Sequence, residues 1–198
     1  MDLQEEVEYI RRVRNGDHTA YAVLVDRYKT LAYSIALKVL GNEEDAEDVA
    51  QEGFIKAYQQ LQQFEGKSKF STWLYTIVYR TALAKAKEMK HKTFSITQQF
   101  KDTFTNDYSA PQLTLMQAND EQRSVNAAIN RLPESEALLV MLYYVNENSI
   151  KEIQEITGLS AANIKIRLFR ARKKLERELK FLIDDENTQI KHHGKKAK

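Results

Sequence analysis

Residues 149–175, "SIKEIQEITGLSAANIKIRLFRARKKL", decide how the chain is read. Ser149 followed three residues later by Glu152 makes a capping box ahead of a short helix. Ile150, Ile153 and Ile156 lie along that helix. Gly158 supplies the left-handed residue that stops it, and Ser160 caps the helix that follows. Each residue turns a helix by about 100°. Measured from Ile164, Leu168, Ala171 and Leu175 therefore return to one direction and form an apolar stripe. The opposite face carries Ala162, Lys165, Ile166, Phe169, Arg170 and Lys173. Two helices joined by a short glycine turn, the second presenting Lys and Arg, fit a DNA-reading helix-turn-helix. Lys and Arg reach guanine edges or phosphates, while Ile166 and Phe169 suit thymine methyls. Arg167, Arg172 and Lys174 flank the face at positions suited to phosphates. The plainer alternative is a solvated basic helix in an ordinary helical hairpin, and Phe169 has a separate alternative, evenly matched with a DNA contact, as a cap on the edge of the core. The caps, the glycine turn and the placement of charge together favour DNA.

The rest of the chain is read outward from there. It has 198 residues, room for one domain or two small ones. Hydrophobic residues make up 42%, enough to bury a core, and 6 Gly with 2 Pro favour long helices over a turn-rich β fold. There is no Cys, which excludes disulfides and thiolate metal sites. No apolar run is long enough to span a bilayer and no leader pattern is visible, so a soluble cytoplasmic protein without membrane insertion is expected. Leu3, Val7, Ile10 and Val13 mark a first helix ended by Asn15-Gly16. A second is predicted from Tyr21 to Leu40, and a third from the Asn42 cap to about Leu61, with Gly53 inside it. That glycine costs about 1 kcal/mol relative to Ala. A fourth helix carries "STWLYTIVYRTALAKAKEMK". Residues 91 to about 118 have no clean period and read as a linker with little fixed structure. From Asp184 the tail is polar and expected to fray. The expected architecture is all-α, two small helical domains: a bundle over 1–90, a linker over 91–120, a helix-turn-helix domain over 121–183 and a polar basic tail over 184–198.

Charge is segregated along this chain, although its net value is only +2. "NEEDAEDVAQE" places Glu43, Glu44, Asp45, Glu47, Asp48 and Glu52 on one helix with no base among them. Acid this dense repels phosphate and faces either a basic protein partner or plain solvent. The next segment, "FEGKSKFSTWLYTIVYR", offers Lys67 and Lys69 on a loop, then Trp73, Tyr75, Tyr79 and Arg80. Basic groups interleaved with aromatics suit single-stranded DNA, and a Gly/Ser loop between helices suits an extruded base. Trp73 and Ile77, one helical turn apart, are more often core, so Trp73 is expected to be largely buried. The loop and Tyr79–Arg80 are left for DNA.

Residues 41–75, "GNEEDAEDVAQEGFIKAYQQLQQFEGKSKFSTWLY", resemble the second conserved region of bacterial RNA polymerase sigma factors. "LPESEALLVMLYYVNENSIKEIQEITGLSAANIKIRLFRARKKL" resembles their fourth. Two regions joined by a short linker resemble the small extracytoplasmic-function (ECF) group. The resemblance implies that the first domain binds the polymerase core, docking its acidic helix on the β′ subunit through Asp45, Asp48, Gln51 and Glu52. It implies capture of the melted minus-ten strand by the loop from Gln62 to Phe70 and the helix after it, where Phe64, Lys67, Ser68, Lys69, Tyr79 and Arg80 stand. It implies that the second domain reads the duplex minus-thirty-five element with Ser160, Ala162, Lys165, Ile166, Arg167, Phe169, Arg170 and Lys173. The linker would thread through the polymerase towards its active site and the RNA exit path, and the core partner is expected to be met through its β′ and β subunits. Members of the group are often held by an anti-sigma factor. The chain departs from the pattern at Tyr79-Arg80, where an Arg-Asn pair is common, and at "NIKIRL", where a Thr-Val pair and a small polar residue are common.

Two other classes compete. A conventional helix-turn-helix regulator needs neither the acidic helix nor the aromatic-basic loop. An enzyme needs convergent acid, base or metal groups. The four His (His18, His91, His192 and His193) are scattered, and no phosphate-binding glycine loop occurs. No catalytic residue, metal or cofactor is expected.

Overall fold

A computed structural model describes residues 3–97 and 120–194, with side chains described from 4 to 89 and from 125 to 180. The described residues are helical, with no strand among them. By backbone contacts the chain divides into two compact units, Met1–Pro111 with Glu152–Gly158, and Gln112–Lys151 with Leu159–Lys198.

In the first unit, α1 spans Leu3–Arg14, α2 His18–Leu40, α3 Glu43–Gln60 and α4 Phe70–Thr97, with a short 3₁₀ turn at Leu61–Gln63. Each start has a local cause. Asp17 accepts hydrogen bonds from the backbone N–H groups of Thr19 and Ala20 and opens α2. The Thr19 hydroxyl, the Arg12 guanidinium and the Ala20 amide all bond the Asp17 carboxylate and hold it well below the usual carboxylate range. Asn42 caps α3 by accepting from the Asp45 amide at 2.8 Å, and the three acids of the first turn suit the positive end of the helix. α2 packs on α1, α3 and α4, and α3 packs on α4. Leu24, Ile35, Val49, Leu61, Phe70, Leu74 and Val78 are fully buried between these helices. Each such side chain is worth about 1.5–3 kcal/mol. Burial on that scale outweighs the propensity cost of Gly53, and α3 runs through that residue unbroken.

α4 continues to Thr97 and so enters the stretch expected to be linker. No Gly or Pro stands before Pro111 to stop it. The remainder of that stretch, from 98 to 119, lies outside the described residues.

In the second unit α5 spans Asp120–Asn130, α6 Glu134–Val140 and α8 Ala161–Gly194, with a π-helical turn at Met141–Val145. α8 packs on α5 and α6 over a core that includes Ile129, Leu139, Leu142, Ile164, Leu168 and Ala171. α7, Ile150–Thr157, precedes α8 and buries Ile153 and Ile156. The polar tail expected to fray from Asp184 is instead helical through Gly194. The stripe of Ile164, Leu168 and Ala171 extends to Leu175 and Leu179, and no helix breaker interrupts the sequence before Gly194.

Candidate functional site

The turn between α7 and α8 is built by two residues. Gly158 has φ 72°, and its N–H donates to the Gln154 carbonyl at 2.8 Å, which ends α7. The Ser160 hydroxyl oxygen accepts from the Asn163 amide at 3.3 Å and starts α8. Ser160 is thus occupied as a cap while remaining exposed. With Ile164, Leu168 and Ala171 buried, the opposite face of α8 is turned outward. Ala162, Lys165, Arg170 and Lys173 are exposed there, and Ile166 and Phe169 are 52% and 50% exposed. The Phe169 ring is therefore on the surface and not at the edge of the core. Lys173 Nζ lies over it, 4.8 Å from the ring centroid. Arg167 sits at the border of this face, half-buried, and its Nε donates to Asn163 Oδ1 at 2.7 Å. That bond fixes one edge of the guanidinium. Sequence reasoning passed over Asn163, although the four-residue spacing to Arg167 is a legible helical pair.

In the first unit the acidic positions share one side of α3. Asp48, Gln51 and Glu52 are exposed, and Glu52 pairs with Lys56 at 2.6 Å. Asp45 is half-buried; it accepts from Asn42 Nδ2 at 2.8 Å and pairs with Lys85 of α4 at 3.2 Å. The hydrogen bond to Asp45, and then its charge, raise the Lys85 pKa. Asp45 thus ties α3 to α4 as well as adding charge to that side. Toward the C-terminal end of α3 the surface becomes apolar. Ile55 and Tyr58 are exposed, and with Tyr21, Val25 and Phe54 they line an open groove of about 600 Å³ between α2 and α3. The Tyr21 hydroxyl donates to the Phe54 carbonyl at 2.5 Å across it.

The loop after α3 carries Glu65, Lys67 and Lys69 exposed and Ser68 half-exposed, with Gly66 at φ 71°. Phe64 differs from the expectation of a DNA contact: its ring is buried against Phe70 at 5.8 Å and Trp73 at 5.1 Å. It supports the loop from below. Trp73 is largely buried, as expected, with its indole packed on Phe64 and Phe70, and it keeps only a partly exposed edge. On α4, Tyr79 is half-buried and Arg80 exposed. Arg14, at the end of α1, was missed by sequence reasoning; its guanidinium bonds the backbone at Leu61 and Phe64. Nothing in the sequence pairs residues that far apart. Among the described residues no group of His, Asp and Glu is placed to hold a metal ion. No helix is long and apolar enough to cross a membrane among those residues.

Two stretches match known protein families: residues 24–88 match Sigma-70 region 2, and residues 122–175 match Sigma-70, region 4. The ECF RNA polymerase sigma factor SigW of Bacillus subtilis is 31% identical over 179 residues, covering 87% of this chain and 96% of that one. The RNA polymerase sigma-H factor of Pseudomonas aeruginosa is 27% identical over 187 residues, covering 91% and 96%. The sigma factor RpoE of Bartonella quintana, solved in complex with the anti-sigma factor NepR, shares the fold with a TM-score of 0.59. That likeness holds at 21% identity over 81% of this chain and 96% of that one. Two family regions in order, and a relative matched almost end to end, settle the assignment: the chain belongs to the ECF family of RNA polymerase sigma factors and is a promoter-specific transcription initiation factor.

Proposed function

We propose that residues 1–90 bind core polymerase and the melted minus-ten strand, and that residues 121–183 read the duplex minus-thirty-five element. The observation that carries this division is the segregation of exposed charge: acid along α3, base with Ile166 and Phe169 along α8. Asp48, Gln51 and Glu52 meet basic groups of the β′ subunit, with Asp45 adding charge from its fixed position beside Lys85. The core also contacts the factor through its β subunit. Lys67, Ser68 and Lys69 receive the minus-ten strand, with Tyr79 and Arg80 on α4 and with Phe64 as the loop's support. Lys165, Ile166, Phe169, Arg170 and Lys173 enter the major groove across the exposed Ala162. Ser160 and Arg167 face phosphates at its border. The protein works in the cytoplasm, has no active site or cofactor of its own, and binds an anti-sigma factor, as the Bartonella relative does in its solved complex.

The experiment is run-off transcription by bacterial core polymerase, with and without this chain, on a library of promoter fragments. Initiation that depends on the chain and selects two spaced elements is the expected result. Duplex binding by the free chain without any dependence of initiation on it would instead make it a conventional helix-turn-helix regulator.

A further inference from the structure

Arg14 closes α1, yet its guanidinium is committed to backbone, not to a carboxylate. Nε and Nη2 each donate to the Leu61 carbonyl at 3.1 Å, and Nη2 also donates to the Phe64 carbonyl. Gln62 returns a bond, its Nε2 donating to the Arg14 carbonyl at 3.0 Å. Leu61 and Phe64 bracket the short 3₁₀ turn that ends α3 and begins the loop. The Leu61 carbonyl already accepts from the Phe64 N–H at 3.2 Å, so Arg14 adds a charge-assisted bond there and another at the Phe64 carbonyl, and its cation complements the end of the helix dipole. The planar fork of an arginine meets two carbonyls in a pre-organised geometry, which an ammonium on a flexible stem does not. The far foot of the loop is held differently, by the packed rings of Phe64, Phe70 and Trp73. Between the two feet, residues 65–69 stand on the surface with Gly66 in the left-handed region.

We propose that Arg14 is a positioning residue for promoter recognition. By fixing the backbone at Leu61 and Phe64 it sets, before DNA arrives, the attitude of the loop that receives the melted minus-ten base. A loop ordered in advance spares the complex the entropy of ordering it on binding. The inference rests on the assignment of this loop to the minus-ten strand made above.

The test uses holoenzyme assembled from the full chain and bacterial core polymerase. The probes are a single-stranded oligonucleotide carrying the minus-ten sequence selected from the promoter library, and the same oligonucleotide with one base of that element changed. Arg14→Ala is expected to weaken the cognate strand about tenfold and to narrow the cognate-to-changed ratio, with core affinity and minus-thirty-five duplex affinity within about twofold of the parent. Arg14→Lys, which keeps the charge and loses the planar fork, falls between the two and serves where the alanine variant folds poorly. A merely structural role would reduce the titrated active fraction and leave the ratio between the two strands intact. That result overturns the proposal. The double variant Lys67→Ala, Lys69→Ala is measured beside them. If it loses the cognate strand while Arg14→Ala and Arg14→Lys keep both affinity and ratio, the loop reads DNA and Arg14 does not position it. If the double variant binds the strand as the parent does, the loop assignment fails, and the inference about Arg14 falls with it.

Discussion

At Gly53 a built Cβ would lie 2.7 Å from Val78 Cγ2 and 3.4 Å from Val78 Cα. Both residues are buried, and Val78 is a stiff β-branched side chain on the facing helix. The sequence suggested a weak point in the acidic helix, on propensity alone. The missing side chain is instead what lets α3 and α4 approach. Gly53→Ala should therefore lose stability despite its better propensity, because overpacking costs about 1–3 kcal/mol against a gain of about 1 kcal/mol. In a Val78→Ala background the same substitution should become neutral or stabilising, since the clashing methyl is gone. Urea unfolding of the four proteins in the cycle reads the coupling directly. Equal effects of Gly53→Ala in both backgrounds would exclude the close-packing account. Single residues of this kind were only partly legible. Asp17, Asn42, Gly158 and Ser160 act within a few residues of themselves, and their chemistry names their roles in the sequence. Gly53, Phe64 and Arg14 act through partners on other elements, which spacing does not show.

Among the elements, α8 was the most legible in its first turns and the least in its last. The burial of Ile164, Leu168 and Ala171 follows from their spacing, and so does the outward turn of Ile166, Phe169 and Lys173. The polar residues after Asp184 carry no such pattern, yet they continue the helix to Gly194 because nothing in the chain stops it. The exposed half of α8 makes its own prediction. Ile166 and Phe169 offer apolar surface among cations, and the apolar group of the major groove is the thymine methyl. Replacing thymine by deoxyuridine at the minus-thirty-five positions under α8 removes that methyl and keeps every hydrogen-bonding edge. A buried methyl is worth about 0.8 kcal/mol, so holoenzyme affinity should fall about threefold to fourfold at each position where a side chain covers one. Phe169→Ala should abolish the difference between the two bases at its own position. Equal affinity for thymine and deoxyuridine throughout the element would show that these side chains do not read methyls, and that the basic residues alone hold the duplex.

For the whole molecule the decisive quantity is where charge is exposed, not how much there is. A net charge of +2 from 30 basic and 28 acidic residues predicts little attraction to DNA. The sequence nevertheless separates acid at 43–52 from base at 165–174, and the fold turns both outward on their own helices. Lys165, Arg170, Arg172 and Lys173 are all exposed on α8. Each that neutralises a phosphate contributes about −0.9 to the slope of log affinity against log salt for duplex DNA. The holoenzyme's affinity for a minus-thirty-five duplex should therefore fall steeply with salt. Replacing Arg170 or Lys173 by alanine should flatten that slope by about one unit for each phosphate left without its cation. Asp48→Ala should act on the other half of the charge pattern. On the proposed division it should weaken binding to core polymerase and leave the duplex slope of the assembled holoenzyme unchanged, since the acid of α3 would then meet protein and not phosphate. A change in that slope on Asp48→Ala would place the acidic helix beside the DNA, where its charge opposes binding, and would overturn the division of the two charges between polymerase and promoter.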